Sequence, residues 1–96
     1  MRRDQIVQKL KAKHGKLAEF KVKSLALFGS VARGKARPDS DVDIVVEFEG
    51  PGTFDQYMKL KVFLEALIGR PVDLLTRKGI RPELAPYIER ELLHVA

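Results

Sequence analysis

Asp41 and Asp43 stand two residues apart at the head of an apolar, β-branched run, DVDIVVEFEG. The two-residue period of a strand puts both carboxylates on one face while Val42 and Ile44 point to the other. Two such groups repel each other unless a cation lies between them. A hard divalent ion with oxygen ligands relieves that repulsion, and Mg²⁺ commonly takes one or two carboxylates together with substrate phosphates. A solvated acidic turn ahead of a strand accounts for PDSD equally well. Asp73 is the third candidate, because it interrupts the short apolar run Pro71-Val72-Asp73-Leu74-Leu75, where an unpartnered charge is costly. Three carboxylates can hold two cations about 3.5–4 Å apart, an arrangement that stabilises both the attacking and the leaving oxygen of an in-line displacement at phosphorus.

Upstream, the apolar segment ending Leu27-Phe28 runs into Gly29-Ser30 and then Val31-Ala32-Arg33-Gly34. A strand entering a short helix this way turns free backbone N–H groups outward, glycine admits a phosphate close to the chain, and Ser30 adds a hydroxyl donor. An ordinary strand-to-helix turn also explains Gly-Ser taken alone. Two rival motifs overlap these residues and fail. Gly29 to Lys35 fits a P-loop until Ala36, which supplies no hydroxyl for magnesium. Asp39, Asp41 and Asp43 imitate the first ligands of a calcium-binding EF-hand, but Ile44 stands where glycine is needed and Gly50 where glutamate is needed.

The elements that must position these residues are legible in the apolar spacing. Ile6, Val7, Leu10 and Leu17 follow Asp4, a plausible N-cap, as one helical stripe, so a single first helix is expected despite Gly15. Val22–Phe28 is a buried strand, and the run after Asp41 is a second, ended by Gly50-Pro51-Gly52. Thr53 caps a helix whose apolar face carries Phe54, Tyr57, Leu60, Leu64, Leu67 and Ile68, stopped by Gly69. A third strand spans Pro71 to Leu75. After a turn over Thr76 to Gly79, Pro82 or Pro86 opens a last helix with Leu84, Tyr87, Ile88 and Leu92. The expected fold class is α/β (α+β), a small mixed β-sheet of about three or four strands packed with helices.

Composition narrows the chemistry. With 96 residues and 45% hydrophobic content, residues 1–96 are expected to form a single domain around one modest core. Zero cysteines remove disulfides, thiolate metal sites and cysteine nucleophiles together. No apolar run is long enough for a membrane span or a secretory signal, which makes the cytoplasm the default location. A net charge of +5 favours a polyanionic partner. The lysines of the first helix read as its solvated face, and no base-reading motif or aromatic platform points to direct nucleic-acid binding. His14 and His94 lie far from the acidic positions in sequence and read as surface residues.

Phe28-Gly29-Ser30-Val31-Ala32-Arg33-Gly34 followed by Ser40-Asp41-Val42-Asp43-Ile44 resembles the G-S-x-A-R-G…S-D-x-D signature of the minimal nucleotidyltransferases, a family of the DNA polymerase beta-like superfamily. The motif covers Leu25 to Val46 directly, while Asp73 is assigned by its place in the layout. The resemblance implies a nucleotidyltransferase fold and Mg²⁺-dependent transfer of a nucleoside monophosphate, AMP from ATP, to an acceptor hydroxyl. It further implies that Asp41 and Asp43 bridge two Mg²⁺ ions and that Asp73 holds the catalytic ion and helps deprotonate the acceptor. Gly29 and Ser30 would anchor the β and γ phosphates, with Arg33 offering positive charge nearby or serving as a salt-bridged surface residue. The family also implies a partner, a HEPN-domain toxin that the enzyme modifies as an antitoxin, contacted through exposed parts of the first or last helix. The alternative is a catalytically silent module that neutralises such a partner by contact. Base preference, acceptor and homo-oligomerisation stay open.

Overall fold

The computed structural model describes residues 3–34 and 41–95. Lys35, Ala36, Asp39 and Ser40, which figure in the motif comparisons above, lie outside the described residues.

Four strands form one mixed sheet: β1 (Val22–Phe28), β2 (Val42–Phe48), β3 (Val72–Thr76) and the short β4 (Leu93–His94), in the order β3-β2-β1-β4. β1 runs antiparallel to both β2 and β4, whereas β2 and β3 are parallel. Parallel neighbours need a crossover, and helix α4 (Phe54–Ile68) supplies it. The other helices are α1 (Arg3–Ala12), α2 (His14–Glu19), α3 (Gly29–Ala32) and α5 (Ala85–Glu91). None among the described residues is long and apolar enough to cross a membrane.

Strand alternation divides the sheet into two unlike faces. On one, Leu25 and Leu27 of β1, Val42, Ile44, Val46 and Phe48 of β2, and Val72 and Leu74 of β3 join Ile6, Leu10, Leu17, Leu60, Leu64 and Ile68 from the helices in the hydrophobic core. The opposite face takes the intervening residues, Asp43, Val45 and Glu47 on β2 and Asp73 and Leu75 on β3. The polar interruptions of these strands therefore collect on the side away from the core.

Helix α4 holds its position through both ends. The Thr53 hydroxyl accepts from the Gln56 N–H while Gln56 returns the bond to the Thr53 N–H, a reciprocal cap, and Gly69 closes the helix at a left-handed φ of 77°. Two polar groups on this helix then fix β3. Tyr57 donates its hydroxyl to the Leu74 carbonyl at 2.5 Å, and Glu65 Oε2 accepts from the Val72 N–H at 2.9 Å.

Three expectations need correction. The first helix is two, because the chain tightens at Lys13, whose N–H bonds the Leu10 carbonyl three residues back, before α2 resumes. Gly15 lies inside α2; the break precedes it and still leaves Leu10 and Leu17 buried together. The last helix, with Pro86 in its first turn as expected, runs only from Ala85 to Glu91, so that Leu84 and Leu92 flank it, and it buries no residue: Leu84 and Tyr87 are exposed. Phe54, read as part of the buried face of α4, is also exposed and continues along Met58 and Val62 as a solvent-facing stripe at four-residue spacing. Apolar spacing identifies a helix but does not say which apolar residues face the core.

Because α4 links the core to β3, Leu64→Ala is expected to cost about 2–5 kcal/mol of unfolding free energy and Thr53→Ala about 1 kcal/mol, read by chemical denaturation. Equal effects at the two positions would contradict this account of how α4 is held.

Candidate active site

β2 starts where the acidic pair lies. Asp41 immediately precedes it, and Asp43 is its second residue. In the parallel ladder Asp43 is in register with Asp73, and in the antiparallel ladder with Phe28, the residue before Gly29. Three separated stretches of sequence thus meet at one end of the sheet's second face. The Val42 N–H bonds the Pro71 carbonyl at 2.9 Å and helps to hold the strand starts level.

Gly29 begins α3 with a left-handed φ of 70°. A Cβ there would collide with Asp43 Oδ2 and stand 3.3 Å from its Cγ. Glycine is required twice over, by backbone conformation and by the close approach of the carboxylate. At the other end of α3, Arg3 Nη1 donates to the Ala32 carbonyl at 2.9 Å, and the Arg33 N–H bonds the Gly29 carbonyl at 3.2 Å. Arg33 itself places Nη1 at 3.1 Å from both carboxylate oxygens of Glu91.

Burial pushes the Asp43 carboxyl above the usual carboxylate range. The charges of Asp73 and Asp41 act in the same direction, and Arg33 pulls the other way. Asp73 is exposed, so its place opposite Asp43, and not a cost of burial, gives it chemical interest. All three donors are hard oxygens bearing like charge, which suits a hard divalent cation. Among the described residues no three acidic or imidazole groups stand close enough to enclose one ion unaided. These carboxylates could hold Mg²⁺ only if phosphate oxygens and water supplied its remaining ligands. His14 and His94 are exposed.

Further contacts at Glu47, on this same face, escape a sequence reading. Arg77 pairs with Glu89 of α5 and lies 3.9 Å from Glu47 of β2, while Ser24 donates to Glu47 at 3.4 Å. Arg3, Arg77, Glu89 and Glu91 look like ordinary surface charges in the sequence, and only the fold brings them to these partners.

The nucleotidyltransferase domain family matches residues 3–94. The chain belongs to that family. A Methanocaldococcus jannaschii protein with a provisional protein-adenylyltransferase name is 42% identical over 94 residues, which span 93% of this chain and 94% of the relative. The protein adenylyltransferase MntA of Thermococcus cleftensis is 40% identical over 76 residues, 79% of this chain and 77% of MntA. A solved structure described as a minimal nucleotidyltransferase superposes with a TM-score of 0.86 at 35% identity, covering 97% of this chain and 95% of its own. The fold also recurs, at 20% identity and a TM-score of 0.67, in a complex of a tri-AMPylated Shewanella oneidensis HEPN toxin with its MNT antitoxin, covering 94% of this chain and 71% of that one. This nucleotidyltransferase is of the minimal type and has the mixed sheet expected of it.

Two substitutions test the site. Gly29→Ala should lower stability by about 1–3 kcal/mol from backbone strain alone and weaken Mg²⁺-dependent nucleotide binding by displacing Asp43. For Asp43, the raised folded-state pKa means that the wild type loses stability as pH rises from the ordinary carboxylate range through the raised value, and the loss stays constant above it. In metal-free buffer at neutral pH, Asp43→Asn should therefore melt higher than wild type, with the gap closing in acid. A gap that is absent or does not change with pH would contradict this assignment.

Proposed function

We propose that this nucleotidyltransferase moves AMP from ATP to a hydroxyl of a partner protein, and that the partner is a HEPN-type toxin silenced by the modification. The observation carrying this reading is the register of Asp43 with Asp73 on parallel strands, beside Asp41 and the Gly29-Ser30 turn. The activity named for the curated relatives and the AMPylated toxin in the Shewanella complex point to the same acceptor class.

Gly29 and Ser30 hold the β and γ phosphates, Gly29 by its lack of a side chain and Ser30 through its hydroxyl. Arg33 adds positive charge beside them. Asp41 and Asp43, with Asp73 beside them, would hold the Mg²⁺ ions, which when bound would neutralise the charge that develops on the phosphate oxygens. Asp73 also takes the proton of the acceptor hydroxyl as its oxygen forms the new bond to the α-phosphorus. The bond from that phosphorus to the bridging oxygen breaks, and pyrophosphate leaves with the electron pair. In a chain this small, the acceptor protein supplies much of the substrate recognition.

A second reading, neutralisation by contact alone, draws on the exposed stripe of Phe54, Met58 and Val62, which gives a catalytically silent chain an apolar surface to dock. The two readings separate in one experiment with purified protein, a HEPN partner, Mg²⁺ and ATP labelled at the α-phosphate. The enzymatic reading expects label on the partner, loss of both labelling and protection with Asp41→Ala/Asp43→Ala, and a fall of about 10²- to 10⁴-fold in rate with Asp73→Asn. Protection by a folded double variant that transfers no label would support the contact reading and refute the enzymatic one.

A further inference from the structure

The geometry points to Glu91 as the residue that positions Arg33 for the triphosphate. This inference rests on the proposed place of Arg33 beside the phosphates and assigns its orientation to a residue outside the signature motif.

Glu91 is the last residue of α5, the end where a helix's own dipole disfavours negative charge. Its placement there calls for a compensating cation, and Arg33 is that cation. The backbone on both sides of the pair is tied to β1. Two residues after Glu91 the chain enters β4, where Leu93 and His94 pair with Leu27 and Ala26, and the Val95 N–H bonds the Leu25 carbonyl at 2.9 Å. On the other side β1 continues directly through Phe28 into α3, with Arg33 as its C-cap and Arg3 bracing the Ala32 carbonyl. One strand therefore sets the spacing between carboxylate and guanidinium.

The form of the contact favours positioning over competition. A guanidinium free to choose its geometry meets a carboxylate with two parallel N–H bonds from two nitrogens. Here Nη1 alone reaches both oxygens of Glu91, each at 3.1 Å. The other nitrogens are not engaged by Glu91, so the same side chain can keep that anchor and still donate to a phosphate. Its charge already acts on Asp43 while it is anchored. An exposed arginine otherwise loses considerable side-chain freedom on meeting a ligand, and a standing anchor reduces that entropic penalty.

The test is binding of Mg²⁺–AMP-PNP to the full chain by equilibrium titration, alongside steady-state transfer kinetics. Glu91→Ala should weaken binding by about two- to fivefold, the range expected for one exposed ion pair, and raise KM for ATP while kcat changes little. Glu91→Gln, which keeps the shape and one acceptor oxygen, should fall between wild type and Glu91→Ala; it also serves as the measurement of record should Glu91→Ala lower Tm. Arg33→Ala should weaken binding at least as much as Glu91→Ala, and Arg33→Ala/Glu91→Ala no more than Arg33→Ala alone. Unchanged or tighter binding by both Glu91 variants, or additive losses in the double variant, would overturn the inference. If Arg33→Ala is impaired while both Glu91 variants bind like wild type, the positioning claim falls and the proposed function stands; an Arg33→Ala variant that binds normally removes Arg33 from the phosphate site and the role of Glu91 with it.

Discussion

Asp43 is held where its charge is disfavoured. Burial and the neighbouring carboxylates of Asp73 and Asp41 favour its neutral form, and Arg33 is the opposing charge. Backbone register keeps the group in place. The β2–β3 ladder fixes Asp43 opposite Asp73, and the β1–β2 ladder fixes it opposite Phe28, so that the next residue, Gly29, must pass beside the carboxylate with no side chain of its own. Moving any one of these strands by a single residue would turn its contribution to the opposite face.

That requirement connects distant features. α4 is capped at both ends and reaches β3 through Tyr57 and Glu65, one residue to either side of Asp73. Arg3, at the start of α1, braces α3 from the opposite end of the motif. The core face is closed by aliphatic packing, which leaves the second face to be organised by ion pairs from α5, namely Arg33 with Glu91 and Arg77 with Glu89. A small domain can hold a polar site in this way because the side that supplies most of its hydrophobic stabilisation and the side that carries the charge are opposite faces of the same strands.

The sequence revealed β1, β2 and β3 well, because each is a short apolar block next to glycine, proline or acidic residues, and the interruptions at Asp43 and Asp73 mark the face turned from the core; the two-residue β4 was missed, because it is too short to show a strand period of its own. The helix between Thr53 and Gly69 was equally plain from its cap and its left-handed stop. The break at Lys13 left no comparable signal, since Leu10 and Leu17 keep helical spacing across it. Phe54 and Tyr87 show a different limit: hydrophobicity at helical spacing does not reveal that a helix presents part of its apolar surface to solvent. The partnerships of Arg3, Arg33, Arg77, Glu89 and Glu91 depend on long-range contacts, which residue types and spacing do not encode locally.

We propose that Asp43, whose ionised form burial and the neighbouring carboxylates disfavour, is stabilised in that form by a divalent cation that the nucleotide phosphates bring to the site. The most direct test is the titration of the Asp43 side-chain carboxyl carbon by NMR, in the free chain and with Mg²⁺–AMP-PNP. The account predicts a midpoint above the usual aspartate range in the free chain and a clear fall when the ligand is added. An ordinary midpoint in the free chain, or one that does not move on addition of Mg²⁺–AMP-PNP, would contradict it.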